Sequence, residues 1–206
     1  MIDLFSLVSS GLAFFVVAVS PGPANISNAA IAMNYGRKTS LRYGVGLSCG
    51  LVFWGLIAGS GMGAILQTSL YLLITLKILG GLYLLWLAFR SICSARKSEQ
   101  SNIPIIRDQR WFLRGLLLNV SNPKTVIAWM AALSVGLKST DSLFAIIAAL
   151  AVCIVVGFLT NALYSLVFSV GGMMRLYQRG RRWIEGFVAA LFATAGFGLI
   201  RSALSR

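Results

Sequence analysis

Two short stretches hold the residues of this chain best suited to chemistry: SPGPANISN, Ser20 to Asn28, and NPKT, Asn122 to Thr125. Each lies inside a long apolar run. Ser20 before Pro21, and Asn122 before Pro123, read as a capping residue followed by proline at the first helical position, the grammar of a helix start. A helix that starts within an apolar run presents backbone N–H groups without intrahelical partners and with partial positive charge, which suits an anion such as a carboxylate. Gly22 and Pro23 complete the first break, and Asn25, Ser27 and Asn28 follow it, while Lys124 and Thr125 follow the second. Either proline motif alone reads equally well as a simple kink. Two interrupted helices at corresponding places are instead the pattern of a transporter's central site.

Lys124 stands out because a cation at the centre of a membrane helix costs about 2.5–3.5 kcal/mol. It reads as a counter-charge for a substrate carboxylate, against the plainer reading of a lysine held by carbonyls freed at Pro123. Lys77 lies nearer a span end and reads as structural, and Thr160 and Asn161 are polar at depth, either interhelical glue or cavity lining. There is no histidine, which removes the commonest general base and metal ligand. Cys49, Cys93 and Cys153 are odd in number and widely spaced, so they read as small packing residues. Of the five acids, Asp3, Asp141 and Glu185 fall at or near span ends, and Glu99 and Asp108 in a polar loop. With no carboxylate at depth, a zwitterion or an anion fits better than a cationic substrate. No metal site and no cofactor are expected. An inorganic-ion transporter or channel of similar architecture would want converging carboxylates, thiolates or imidazoles. An intramembrane enzyme would want a nucleophile paired with a base.

The elements that must hold these residues follow from composition. The chain has 206 residues, 58% hydrophobic and 11% charged, with a mean hydropathy of +0.84, too apolar for a soluble domain. Its apolar runs are continuous rather than alternating, so they are expected to be membrane helices. They fall at about 4–35, 42–66, 70–90, 111–137, 143–170 and 183–201, six spans around a polar stretch at 92–110. The first run would extend about 48 Å as one helix against a hydrocarbon core of about 30 Å, so a break is expected. The amino terminus carries Asp3 and no early Lys or Arg, unlike a cleaved signal, and is expected to begin a retained helix.

Net charge is +13, yet its placement argues against nucleic acid. Thirteen Lys and Arg fall in the connections of one side and three on the other, a positive-inside bias that puts both termini outside, periplasmic in a bacterium. The basic loops also suit anionic lipid. Residues 1–91 and 111–206 then form two three-helix halves of opposite orientation, joined by a cytoplasmic loop at 92–110. VSPGP at 19–23 echoes VSNPK at 120–124, and LAFRS at 87–91 echoes GLIRS at 198–202. The expected fold is an all-α integral membrane protein of two inverted three-helix repeats, with helices one and four broken near mid-membrane. Gly46-x-x-x-Gly50, Gly55-x-x-x-Gly59 and Gly59-x-x-x-Gly63 read as small faces for close helix packing.

Three stretches in this order, SPGPANISNAAIAMNYGRKTSLRYGVGLSCG, LKILGGLYLLWLAFRS and FLRGLLLNVSNPKTVIAWMA, resemble the LysE/RhtB amino-acid exporter family. The resemblance covers essentially the whole chain. It implies a bacterial inner-membrane exporter of amino acids or close derivatives, coupled to protons, with Pro21, Gly22, Pro23, Asn122, Pro123 and Lys124 at the family's motif positions. The chain departs from the family where WMAALSVGL follows the N-P-K motif in place of an F-x-P-Q-F segment, and where Trp54 stands in a helix that often carries histidine. The expected function is export of a small neutral amino acid by alternating access. Ser20, Pro21, Gly22, Pro23, Asn25, Asn28, Asn122, Pro123, Lys124 and Asn161 are the expected substrate-binding positions, and the reading leaves room for a homo-oligomer.

Overall fold

The computed structural model describes residues 4–68, 70–96, 110–136 and 143–204, and every regular element among them is a helix. In chain order these are α1 (Leu4–Val19), α2 (Pro23–Thr68), α3 (Leu70–Arg96), α4 (Trp111–Val120), α5 (Pro123–Gly136), α6 (Leu143–Val167) and α7 (Met173–Leu204). Most of the 92–110 stretch, the acids Asp3, Glu99, Asp108 and Asp141, and the side chain of Lys77 lie outside the described residues. Pro23–Ser60 and Leu143–Val167 are each long and apolar enough to cross a membrane. Large apolar side chains such as Leu56, Val155, Leu159 and Phe197 face outward, as on a surface that meets lipid tails.

The expected break in the first run is present. Pro21 cannot donate to the turn before it, and Pro23 biases Gly22 away from the helical region, so α1 stops at Val19 and α2 begins with Pro23 at its first position. The helix start is therefore two residues later than the Ser20–Pro21 reading placed it. The fourth run divides at Ser121 and Asn122 into α4 and α5, as that reading expected.

The boundary expected after residue 35 is present at Gly36, whose φ of 81° and ψ of 169° are non-helical and divide α2 into two helical segments, the second resuming at once rather than at 42. That conformation is open essentially to glycine alone. A β-carbon at Gly36 would meet nothing within 4 Å, so the cost of Gly36→Ala is backbone strain only. It is expected to lower unfolding stability in detergent by about 1–3 kcal/mol. Gly171→Ala, equally open but without positive φ, should leave the melting point within error. At the other end, α7 begins at Met173, ten residues before the apolar span expected from 183. Charge ends an apolar run without ending a helix, and RLYQRGRR is a helical extension with Arg175, Arg179 and Arg182 exposed.

α3 packs along α7, α2 against α4 and α6, and α1 against α5 and α6. One core cluster, including Phe14, Leu51, Leu84, Trp129, Cys153 and Phe192, joins α1, α2, α3, α5, α6 and α7, and a second, of Ile31, Tyr43, Leu47 and Trp111, joins α2 to α4. The second helix makes the close approach its glycines suggested. A β-carbon at Gly46 would strike the Phe112 carbonyl oxygen, and one at Gly115 would strike that of Tyr43, so α2 and α4 touch backbone to backbone. Gly50 meets Asn119 in the same seam, which brings the Asn119 side chain onto α2.

Candidate functional site: a cavity between two interrupted helices

Ending α1 inside the bundle leaves its last carbonyls without intrahelical donors, and in apolar surroundings each needs another. Side chains supply them. Ser20 Oγ donates to the Val17 carbonyl at 2.7 Å, Asn25 Nδ2 to Ala18 at 2.6 Å, and the Tyr164 hydroxyl to Val19 at 2.8 Å. The Ser20 carbonyl accepts from Asn25 Nδ2 at 2.9 Å and from Lys124 Nζ at 2.8 Å. Lys124 is thus held by a freed carbonyl, but one from the opposite break, 104 residues away in sequence. Tyr164→Phe strands the Val19 carbonyl and is expected to lower stability by about 1–3 kcal/mol, read as a fall in the melting point in detergent.

At the second break Asn122 caps α5. Its Oδ1 accepts from the Lys124 backbone N–H at 3.1 Å, and its carbonyl from the Thr125 N–H at 3.0 Å. These donors of the half-helix are already engaged, so the charge this break offers an anion is chiefly the Lys124 ammonium. Trp54 Nε1 donates to the Val120 carbonyl at 2.9 Å. Asn119 is turned toward α2, donating to the Leu47 carbonyl and accepting from the Thr125 hydroxyl.

Between the two breaks lies a cavity of about 50 Å³, room for roughly three to four waters. Gly22, Asn25, Asn122, Lys124 and Asn161 of the expected residues line it. Phe14, Val17 and Ala128 form apolar wall, and Asn119, Thr125 and Thr160 add polar groups. The arrangement offers one cation and several amide and hydroxyl groups in a small, mostly apolar chamber, a donor set that suits a carboxylate.

The other expected residues take supporting places. Ser20 is fully buried, its hydroxyl turned back onto α1 rather than capping α2. Asn28 is also fully buried: its Nδ2 donates to the Asn161 carbonyl at 2.9 Å and its Oδ1 accepts from Ser40 Oγ at 2.7 Å. Ser40 Oγ also lies 2.9 Å from Ser165 Oγ, and Asn161 Nδ2 donates to Ser48 Oγ at 2.9 Å. This network locks both segments of α2 to α6 beside the chamber. Pro21 and Pro23 shape the first break without lining the cavity, and the ring of Pro123 lies outside the described side chains.

Glu185 is the residue the sequence reading most undervalued. The true start of α7 puts it about three turns inside the helix, and it is 3% exposed, the one carboxylate among the described residues. It lies close enough to act electrostatically on Lys124, Tyr164 and Tyr177.

A bundle of apolar helices, two of them interrupted around a small chamber, is the architecture of a membrane transporter. The sequence signature of the LysE type translocator family matches residues 15–203, and the chain belongs to that family. It is 32% identical over 213 residues to the threonine efflux protein of Escherichia coli strain K12, covering 98% of this chain and 100% of the relative. The threonine efflux protein of Salmonella typhi is 33% identical over 216 residues, with 98% and 100% covered. An uncharacterized membrane protein of Haemophilus influenzae is 28% identical over 211 residues, with 100% and 95% covered. No solved structure matches the chain.

Proposed function

We propose that this chain exports a small neutral amino acid of threonine's size and polarity across a bacterial inner membrane, in exchange for protons, by alternating access. The observation that carries the reading is the chamber between the two breaks, with the Lys124 ammonium at one wall. The substrate carboxylate takes that ammonium as its partner and competes with the Ser20 carbonyl for it. Asn25, Asn122, Thr125, Thr160 and Asn161 meet the remaining polar atoms, and Phe14 and Ala128 the apolar ones. Kinship with proteins named for threonine efflux favours a hydroxyl-bearing substrate.

Residues 1–91 and 111–206 act as inverted repeats that rock about the chamber, with both termini periplasmic. The helix pairing supports this: α1 against α6 mirrors α4 against α2, while α3 against α7 and α2 against α6 each pair an element with its own counterpart. Irregular backbone at the two breaks would lie near the bilayer midplane, where it is tolerated only around a cavity. One proton charge moving inward across 100 mV releases about 2.3 kcal/mol, sufficient for roughly fiftyfold accumulation outside. Purified protein in proteoliposomes should show counterflow of one or a few of the common amino acids and gradient-driven uphill movement of the same ones. Flux of none of them under any imposed proton gradient would sink the reading.

A further inference from the structure

The seam between α2 and α4 sets two arginines level with one another. A β-carbon at Gly115 would meet Tyr43 and Leu47, one at Gly46 would meet Phe112 and Leu116, and one at Gly50 would meet Leu116 and Val120. The contacts advance together along both helices, so α2 and α4 run parallel through the seam. Arg42 lies about one turn before Gly46, and Arg110 directly precedes α4, two residues before Phe112. Both arginines therefore stand at the same end of the seam, one on each flank, and both are exposed.

There a groove of about 420 Å³ opens, lined by Arg42, Val45, Arg110, Trp111, Phe112 and Leu113. Val45, Phe112 and Leu113 are exposed apolar side chains, and outward-facing apolar residues continue from them at helical spacing, through Phe53 and Leu56 on α2 and Leu117 on α4. Trp111 is fixed in the wall, its ring 4.7 Å from that of Tyr35. Tryptophan and tyrosine concentrate where the headgroups of a bilayer meet its tails, and arginines at that level face the phosphates. The groove thus joins two cations at its mouth to an apolar track leading away from them.

We propose that this groove binds an anionic phospholipid, with its phosphate between Arg42 and Arg110 and its acyl chains along Val45, Phe112 and Leu113. The site goes beyond the exporter reading, since it needs a bilayer and no particular cargo. Charge and shape both favour this occupant. Guanidinium forks match phosphate oxygens, and basic pockets between membrane helices on the positively charged side suit anionic headgroups. A second groove, lined by Arg182, Trp183, Gly186 and Phe187, repeats part of this chemistry, but a single helix supplies it and only one arginine. A lipid seated between α2 and α4 touches both helices, and by bracing them it raises the stability of the bundle.

The test uses the full chain, purified in mild detergent and stripped of lipid. The probe is dioleoyl phosphatidylglycerol, set against dioleoyl phosphatidylethanolamine, which has the same tails and no net charge. Phosphatidylglycerol should bind saturably by native mass spectrometry and raise the melting point, and phosphatidylethanolamine at the same concentration should do neither. Glycerol phosphate, a headgroup without tails, should not displace the lipid. Arg42→Gln combined with Arg110→Gln should weaken phosphatidylglycerol binding about twenty- to thirtyfold, roughly fivefold for each surface cation removed. Arg175→Gln combined with Arg179→Gln takes the same charge from the exposed extension of α7 and should leave binding nearly unchanged. Equal loss in the two double variants means diffuse attraction to a basic face and overturns the site. Equal binding of the two lipids by the wild type also overturns it, and that comparison needs no variant. Displacement by glycerol phosphate would mark a site for a soluble anion and overturns it as well. Amino-acid counterflow decides the exporter reading separately, whatever these measurements give.

Discussion

Lys124→Ala is expected to cut amino-acid export by about ten- to a hundredfold in kcat/KM. The estimate follows from the interaction lost. A hydrogen bond to a charged group contributes about 1.5–3 kcal/mol, and each 1.4 kcal/mol is a factor of ten. Lys124 also bonds the Ser20 carbonyl at 2.8 Å, so the alanine variant leaves that carbonyl with Asn25 alone. Lys124→Met keeps most of the stem's packing but not the bond to Ser20: the share of stability owed to packing should return, and transport should not. The amide of the transported amino acid sharpens the point, because it lacks the carboxylate. Wild type should reject it strongly, and Lys124→Met should handle acid and amide alike. Unchanged kinetics in the alanine variant would remove Lys124 from substrate recognition.

Gly115→Leu is expected to abolish the folded protein. The β-carbon would strike the Tyr43 carbonyl, and a carbonyl in a helix cannot rotate away as a side chain can. Overpacking a well-packed core costs about 1–3 kcal/mol when side chains can give, and more when they cannot. The helices α2 and α4 must separate, which also breaks the bond from Asn119 to the Leu47 carbonyl. Size-exclusion chromatography in mild detergent should show aggregate in place of a monodisperse peak. Gly186→Ala and Gly198→Ala, where an added β-carbon meets nothing within 4 Å, should fold normally and melt no lower than wild type.

The features legible in the sequence were those written in local backbone chemistry. Prolines at 21, 23 and 123 announced both interruptions, Asn122 announced its cap, and Gly46 and Gly50 announced a close helix approach. A break near Gly36 was legible, since the first apolar run ends at 35, but its positive φ and the immediate resumption of the helix were not. Nor were the donors for the freed carbonyls. Tyr164 reaches Val19 across 145 residues and Trp54 reaches Val120 across 66, and no spacing rule connects them. Asn119 could have been found, because a second asparagine within three residues of Asn122 in an apolar run needs a partner of its own. Glu185 stands near the end of an apolar span, as read, but its burial within a longer helix was not legible, for a definable reason. Hydropathy marks where a helix meets lipid, so a helix that continues into a basic extension looks shorter than it is, and its acid looks terminal.

Trp129 gives the chamber an optical signal of its own. Its indole is fully buried, 4.8 Å from the ring of Phe14 in the cavity wall, and its Nε1 donates to the Leu51 carbonyl at 2.9 Å. Leu51 and Phe14 both line the space a solute would enter, so an occupant that shifts either one alters the surroundings of this indole. Trp183, by contrast, is 86% exposed, and an aqueous or lipid-borne quencher would reach it first. With the exposed fluorophores quenched, a change in the residual emission, to which buried Trp111 adds a background, becomes a titratable readout of occupancy, free of any attached dye.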